Sequence, residues 1–262
     1  MKLGIIRGHD APAFDYVKGK GLDFIETCCN NDGEARLFTD QTADIKANIA
    51  RTGIEIASVG RWAAKPNKGA TFDEAQMEIQ YALFDAAVEV GSPVFVCGCN
   101  YDGSVSLYKN YGFAIEYFGR LLDRAKDKNI KVAVYNCSWE NFICSPREWE
   151  VVLAELPQLG IKYDCSHSVN AGRDYLTELS DWGDRIYHFH VKGTVITRGR
   201  YVDDPPAGID GFNWGEIFAI LYARGYDSGL SIEPHSATWQ GGSELGKKGI
   251  DYTIKYIRQY IL

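Results

Sequence analysis

The sequence predicts an α/β fold, a single closed (β/α)8 barrel formed by the whole chain, residues 1 to 262. Three observations predict it. Eight short apolar runs alternate with longer amphipathic stretches. Acids, amides and imidazoles gather at the ends of those runs, which in a parallel barrel converge on one rim. The first run is followed by IIRGHDAP, without the G-x-G-x-x-G turn expected after the first strand of a doubly wound sheet.

The expected strands are Leu3–Ile6, Phe24–Cys28, Ile56–Val59, Val94–Cys97, Val132–Tyr135, Ile161–Asp164, Ile186–His190 and Leu230–Glu233. Between them, FDEAQMEIQYALFDAAVEV and YGFAIEYFGRLLDRAKDK repeat apolar residues at three and four positions, so each buries one helical face. Small residues before several strands, KGKG before Leu22, Gly53, GSP before Val94, Gly160 and Gly225, suit helix ends returning to a sheet. The stretch Gly193–Asn213, GTVITRGRYVDDPPAGIDGFN, breaks both periods and is expected to be a long loop serving as a lid, with Arg198 and Arg200 solvated.

Composition bounds the function. A chain of 262 residues that is 45% hydrophobic and 24% charged can bury one large core. Its net charge of −7 and lack of a Lys/Arg run give no general attraction for nucleic acid. The apolar run in MKLGIIRGHD is too short for a signal-peptide core or a membrane span, so a cytoplasmic protein is expected; because barrels of this kind often pair, a homo-oligomer is expected as well. Seven cysteines, an odd number, fit reduced thiols. Neither Cys28-Cys29 nor Cys97-x-Cys99 has a zinc-ribbon spacing, and packing is their expected role. Cys165, between Asp164 and His167, is the thiol to watch for metal or oxidation chemistry.

Four strand-end motifs carry the chemistry: YNCSWEN, YDCSHS, YHFHVKG and SIEPHS. They bring Asp164, His167, His188, His190, Glu233 and His235 toward one cation or substrate, and His9, after the first strand, reaches the same rim. Taken singly, Asp164 reads as a helix cap, Glu233 as an ion-pair partner and His188 as a core histidine. At three successive strand ends they read together as a site. Carboxylates with one neutral imidazole make a mixed oxygen and nitrogen donor set suited to Mn, Mg, Co or Zn. Trp139 and Trp239 are candidates for stacking on a sugar or for packing at the rim.

YDCSHS with the following GRDYL, RIYHFHVKG and LSIEPHS resemble the xylose isomerase-like TIM barrels: sugar and sugar phosphate isomerases and epimerases, with their endonuclease IV relatives. Element order resembles the family over nearly the whole chain, while the specific motifs lie between Tyr163 and Ser236. The resemblance implies one divalent cation, Mn foremost, with Asp164, His190 and Glu233 as ligands. It implies isomerisation or epimerisation of a sugar or sugar-derived carbonyl compound through an enediolate, with Glu233 as base. His167 and His188 would orient hydroxyls or relay a proton, Lys192 would hold an anionic or hydroxyl group, and Asn136, His235, His9 and Trp139 would line the substrate.

Two positions depart from the family pattern. The fifth strand usually ends in Glu, but here it ends at Tyr135 or Asn136, with the first acid at Glu140. Glu140 folds back onto the cation, Asn136 supplies a neutral oxygen, or three protein ligands are completed by water. Gly193 stands where Asp commonly follows H-x-H-x-K. A missing second acid also suits the family's 3-keto-glycoside lyases, of the C-glycoside deglycosidase kind, which need one base and work with a small partner subunit. A non-catalytic sugar-binding barrel and an abasic-site endonuclease are further alternatives, the last disfavoured by charge and by the few histidines.

Overall fold

A computed structural model describes every residue from Met1 to Leu262. Eight parallel strands form a closed barrel: β1 (Lys2–Ile6), β2 (Phe24–Cys29), β3 (Glu55–Arg61), β4 (Val94–Cys97), β5 (Lys131–Tyr135), β6 (Gly160–Tyr163), β7 (Ile186–Val191) and β8 (Gly229–Ile232). Each pairs with its neighbours in sequence, and β8 closes on β1 through Leu3–Leu230 and Ile5–Ile232. The fold is the expected (β/α)8 TIM barrel. Asp164 and Glu233, expected as last strand residues, lie one position beyond β6 and β8.

Ten helices surround the barrel: α1 (Ala11–Gly19), α2 (Asp32–Asp40), α3 (Thr42–Thr52), α4 (Glu74–Glu89), α5 (Leu107–Ala125), α6 (Pro146–Glu155), α7 (Cys165–Asn170), α8 (Tyr175–Trp182), α9 (Trp214–Ala223) and α10 (Glu244–Arg258). Short polar side chains start most of them. Asp10, Asn31, Asp73, Ser106, Asp174 and Ser243 each accept a hydrogen bond from a backbone N–H of the first helical turn. Gly53, Gly91 and Gly225 take the positive φ expected of helix ends, whereas Gly160 opens β6, where a Cβ would meet the Tyr187 ring at 2.1 Å.

The strand period of two sorts side chains between two cores. Val94 and Val96 of β4 and Ala133 and Tyr135 of β5 pack with Trp62 in a small cluster, while their neighbours Phe95, Cys97, Val132 and Val134 belong to the large one. The small cluster fills the barrel and the large one lies between barrel and helices. The same parity directs the polar residues inward. Ile161 and Tyr163, Phe189 and Val191, Leu230 and Ile232, and Ile25 all join the outer core. Lys162, Asp164, His188, His190, Lys192, Glu233 and Glu26 therefore face the barrel axis. All seven cysteines are unpaired. No helix is long and apolar enough to cross a membrane.

The stretch Gly193–Asn213 is not irregular throughout. Val195–Thr197 pairs antiparallel with Arg200–Asp203, turning at Arg198 and Gly199, both at positive φ. The β-branched and aromatic residues on either side of that turn account for the hairpin. It is fastened to the segment after β8: Asp204 Oδ2 lies 2.7 Å from His235 Nδ1, and Trp239 Nε1 donates to Asp203 at 3.1 Å. Where the loop leaves β7, a Cβ on Gly193 would lie 2.3 Å from the Pro205 carbonyl oxygen and 2.7 Å from Asp210 Cβ. This crowding leaves no room for an aspartate side chain there. Gly193→Ala is expected to cost about 2 kcal/mol or more in urea unfolding; an unchanged midpoint would show that the loop relaxes freely.

Candidate active site

Three carboxylates converge at the C-terminal mouth of the barrel. Glu26, from β2, is fully buried and touches both histidines of β7: Oε2 lies 2.8 Å from His188 Nε2, and its two oxygens lie 3.0 and 2.9 Å from His190 Nε2. Asp164 is also fully buried, with Oδ1 accepting from the Ser166 N–H at 2.8 Å as the cap of α7. It is thus both a cap and a site residue. Its Oδ2 faces three nitrogens: Lys192 Nζ at 2.9 Å, His167 Nε2 at 3.4 Å and His190 Nδ1 at 3.9 Å. Glu233 Oε2 completes the group, 3.1 Å from Lys192 Nζ and 3.2 Å from His190 Nδ1. Its side chain is 23% exposed, so it is the one carboxylate of the three that reaches the opening.

Burial alone would neutralise these acids, and the neighbouring cations reverse that. Burial pushes Asp164 up, but Lys192 and then His167 hold it below the ordinary carboxylate range. Glu233 is likewise held down against burial, chiefly by Lys192 and His190. Lys192 is raised, the two carboxylates outweighing its burial. On β7 the histidines diverge: burial dominates at His188, which is lowered, whereas Glu26 and Glu233 overcome burial at His190, which is raised.

The fourth position is the clearest correction. Asn136 does not face the cluster's opening; its side chain is spent on the backbone of Asp164, Nδ2 donating to the carbonyl at 2.9 Å and Oδ1 accepting from the N–H at 3.0 Å. Glu140 lies outside, its Oε1 2.9 Å from Lys65 Nζ, with backbone at φ 48°. Neither completes a donor set. Other expected residues are also displaced. His9 bonds Gln41 and packs on Phe38, Trp139 is half exposed on the loop after β5, and His188 is sealed beneath the cluster by Glu26. His235 stays near the mouth, paired to Asp204.

Asp164, His190 and Glu233 offer one ligand atom each within 4.8 Å of one another. Two carboxylates and an imidazole whose Nε2 is held by Glu26, leaving Nδ1 for the ion, fit a hard divalent cation chemically. The Lys192 ammonium lies in the same gap between the carboxylates. Two members of the mouth escaped the sequence reading, Glu26 and Lys162. Both are charged residues within apolar strands, FIETCC and IKYD, and strand parity was the signal for them: Lys162 is two residues from Asp164.

His167 gives a test of this electrostatic picture. Burial is the main influence pushing its imidazole down to about 4 from 6.5. Because the folded value is the lower one, the unfolded chain takes up the proton first. The stabilising contribution is intact above pH 6.5 and is lost as pH falls toward 4. His190, raised, has the opposite sign and loses its contribution as pH rises above 6.5. His167→Gln is therefore expected to reduce the loss of unfolding free energy between pH 6.5 and 4 by up to about 1.4 kcal/mol per pH unit. Parallel curves for the two proteins would contradict this.

The comparisons agree on the fold. The family model described as xylose isomerase-like TIM barrel matches residues 14–260. No curated protein matches the sequence. Among solved structures, the Escherichia coli 3-keto-D-glucoside 4-epimerase YcjR superposes with a TM-score of 0.79 at 16% identity, covering 99% of each chain. A D-allulose 3-epimerase from Methylomonas sp. has a TM-score of 0.78 at 18% identity over 100% of this chain and 98% of its own. The probable 3-DHS dehydratase AsbF of Bacillus anthracis has a TM-score of 0.72 at 14% identity over 98% and 99%. At these identities the structures speak to the fold, and the family match spans nearly the whole sequence: the chain belongs to the xylose isomerase-like TIM barrel family.

Proposed function

We propose that this protein is an isomerase or epimerase of a sugar or sugar-derived carbonyl compound, working by proton transfer at the carbon next to the carbonyl. The observation that carries this reading is Glu233, an ionised carboxylate held down by Lys192 and His190 yet open to the mouth. Glu233 takes the proton, and the carbon–hydrogen electron pair moves into the carbonyl to form an enediolate. A carboxylate held this low is a weak base. The step therefore depends on positive charge near the developing oxyanion.

A divalent ion, Mn foremost with Mg, Co or Zn as alternatives, held by Asp164, His190 and Glu233 would supply that charge as a Lewis acid. Lys192 keeps a positive charge between the same carboxylates in the protein itself. His167, partly exposed and neutral above about pH 4, is the candidate for carrying a proton to the second carbon or oxygen. With Asn136 tied to backbone and Glu140 outside, no second carboxylate stands opposite Glu233. That favours Glu233 alone moving the proton along one face between adjacent carbons, which isomerises; epimerisation needs His167 to return a proton on the other face. The same absence also keeps open elimination from a 3-keto-glycoside as the second reading, which release of an aglycone would identify.

The test is turnover of a ketose panel beginning with D-allulose and D-fructose, with and without Mn, Co or Mg. Glu233→Gln is expected to lower kcat about a thousandfold. Asp164→Asn should weaken metal response and activity together. Turnover indifferent to both substitutions and to chelator would overturn the proposal.

A further inference from the structure

Lys162 has no role in the site as described so far. It lies on β6 two residues before Asp164, faces the barrel axis and is 1% exposed. The other buried cations are paired, Arg61 with Asp32 and Lys192 with Asp164 and Glu233. Lys162 has no carboxylate within ion-pair distance and no hydrogen-bond partner. Its contact is the face of Trp62, 4.8 Å from the ring centroid, and Trp62 is itself stacked on Tyr135 at 4.1 Å. An indole face is a weak substitute for an anion.

The unpaired ammonium belongs to the inward face that carries the cluster. Lys162 pairs in register with Tyr135 on β5 and His188 on β7, and Asp164 lies two residues further along the same face. Burying a charge without a counter-ion is costly, and a fold has no packing reason to keep a lysine where a methionine would fill the same space. The charge of Lys192 is already engaged by two carboxylates; that of Lys162 is engaged by none.

We infer that Lys162 is a catalytic residue, the donor that meets the substrate's carbonyl oxygen and stabilises it as it becomes an enediolate oxyanion. This rests on the enolising reading above. It assigns the ligand class as an open-chain ketose or aldose, whose reacting oxygen gains negative charge as the carbon–hydrogen bond breaks. The ammonium hydrogen-bonds that oxygen throughout, and the proton leaving carbon goes to Glu233.

The test compares wild type with Lys162→Met in three measurements: thermal melting, carbon–hydrogen exchange of D-allulose in D2O by NMR, and binding of D-erythronohydroxamate, a planar enediolate mimic, with chelator present. The variant should melt at or above the wild-type temperature, because no counter-ion is left behind. Exchange should fall about a hundredfold or more, in kcat rather than KM. Affinity for the mimic should fall at least about tenfold, the scale of one lost charged hydrogen bond. A melting temperature lower by more than about 4 °C, a shift of roughly a kilocalorie-scale loss in a chain of this size, would make Lys162 structural and overturn the inference. Undiminished exchange would do the same. Should wild type exchange none of the ketoses, the proposed function fails, and the mimic decides for Lys162 by itself: weaker binding to the variant supports the assignment, and equal binding overturns it.

Discussion

Everything distinctive about this barrel follows from three carboxylates brought to one mouth. Glu26 and Asp164 have no exposure at all, and Glu233 has little. Left alone, such acids would take up protons rather than stay charged. They stay ionised because β7 and the residue just beyond it deliver a cation or imidazole at every second position, His188, His190 and Lys192, across from them. Strand periodicity is what makes this work. A helix would scatter those three side chains around its axis, whereas a strand stacks them along one line facing the acids.

That arrangement sets different tasks for chemically similar groups. Glu26 holds two imidazoles and never meets solvent, so it orients the cluster. Asp164 caps α7 with one oxygen and faces cations with the other, fixing the start of the helix and the mouth together. Glu233 alone has the opening a base requires. The end of β5, where relatives of the family commonly place a further acid, is used here for alignment: Asn136 grips both backbone groups of Asp164 and pins β5 to β6.

Much of this was legible in the sequence because strand-end chemistry in a parallel barrel is local. Asp164, His190, Lys192 and Glu233 are readable from YDCSHS, HFHVKG and SIEPHS, and the eight strands from their apolar runs. What sequence missed is long-range. Glu26 is 162 residues from His188, and nothing in FIETCC announces a partner that distant. Lys162 drew no reading because a charge inside a short apolar run is easily passed over, although its parity with Asp164 puts it on the inward face. Glu140 was drawn to the site by chemical need, but its backbone turns it outward to Lys65. The hairpin inside Gly193–Asn213 was hidden by its prolines and glycines.

The central claim is that a carbonyl substrate is enolised in this mouth with Glu233 at the carbon and positive charge at the oxygen. A crystal structure of the protein soaked with D-allulose tests it most directly. The account predicts an open-chain sugar with the carbon next to the carbonyl against the Glu233 carboxylate and the carbonyl oxygen within hydrogen-bonding distance of an ammonium or a bound cation at the Asp164–Glu233 gap. A sugar lying outside the mouth, or with its carbonyl turned away from Glu233 and both lysines, would contradict it.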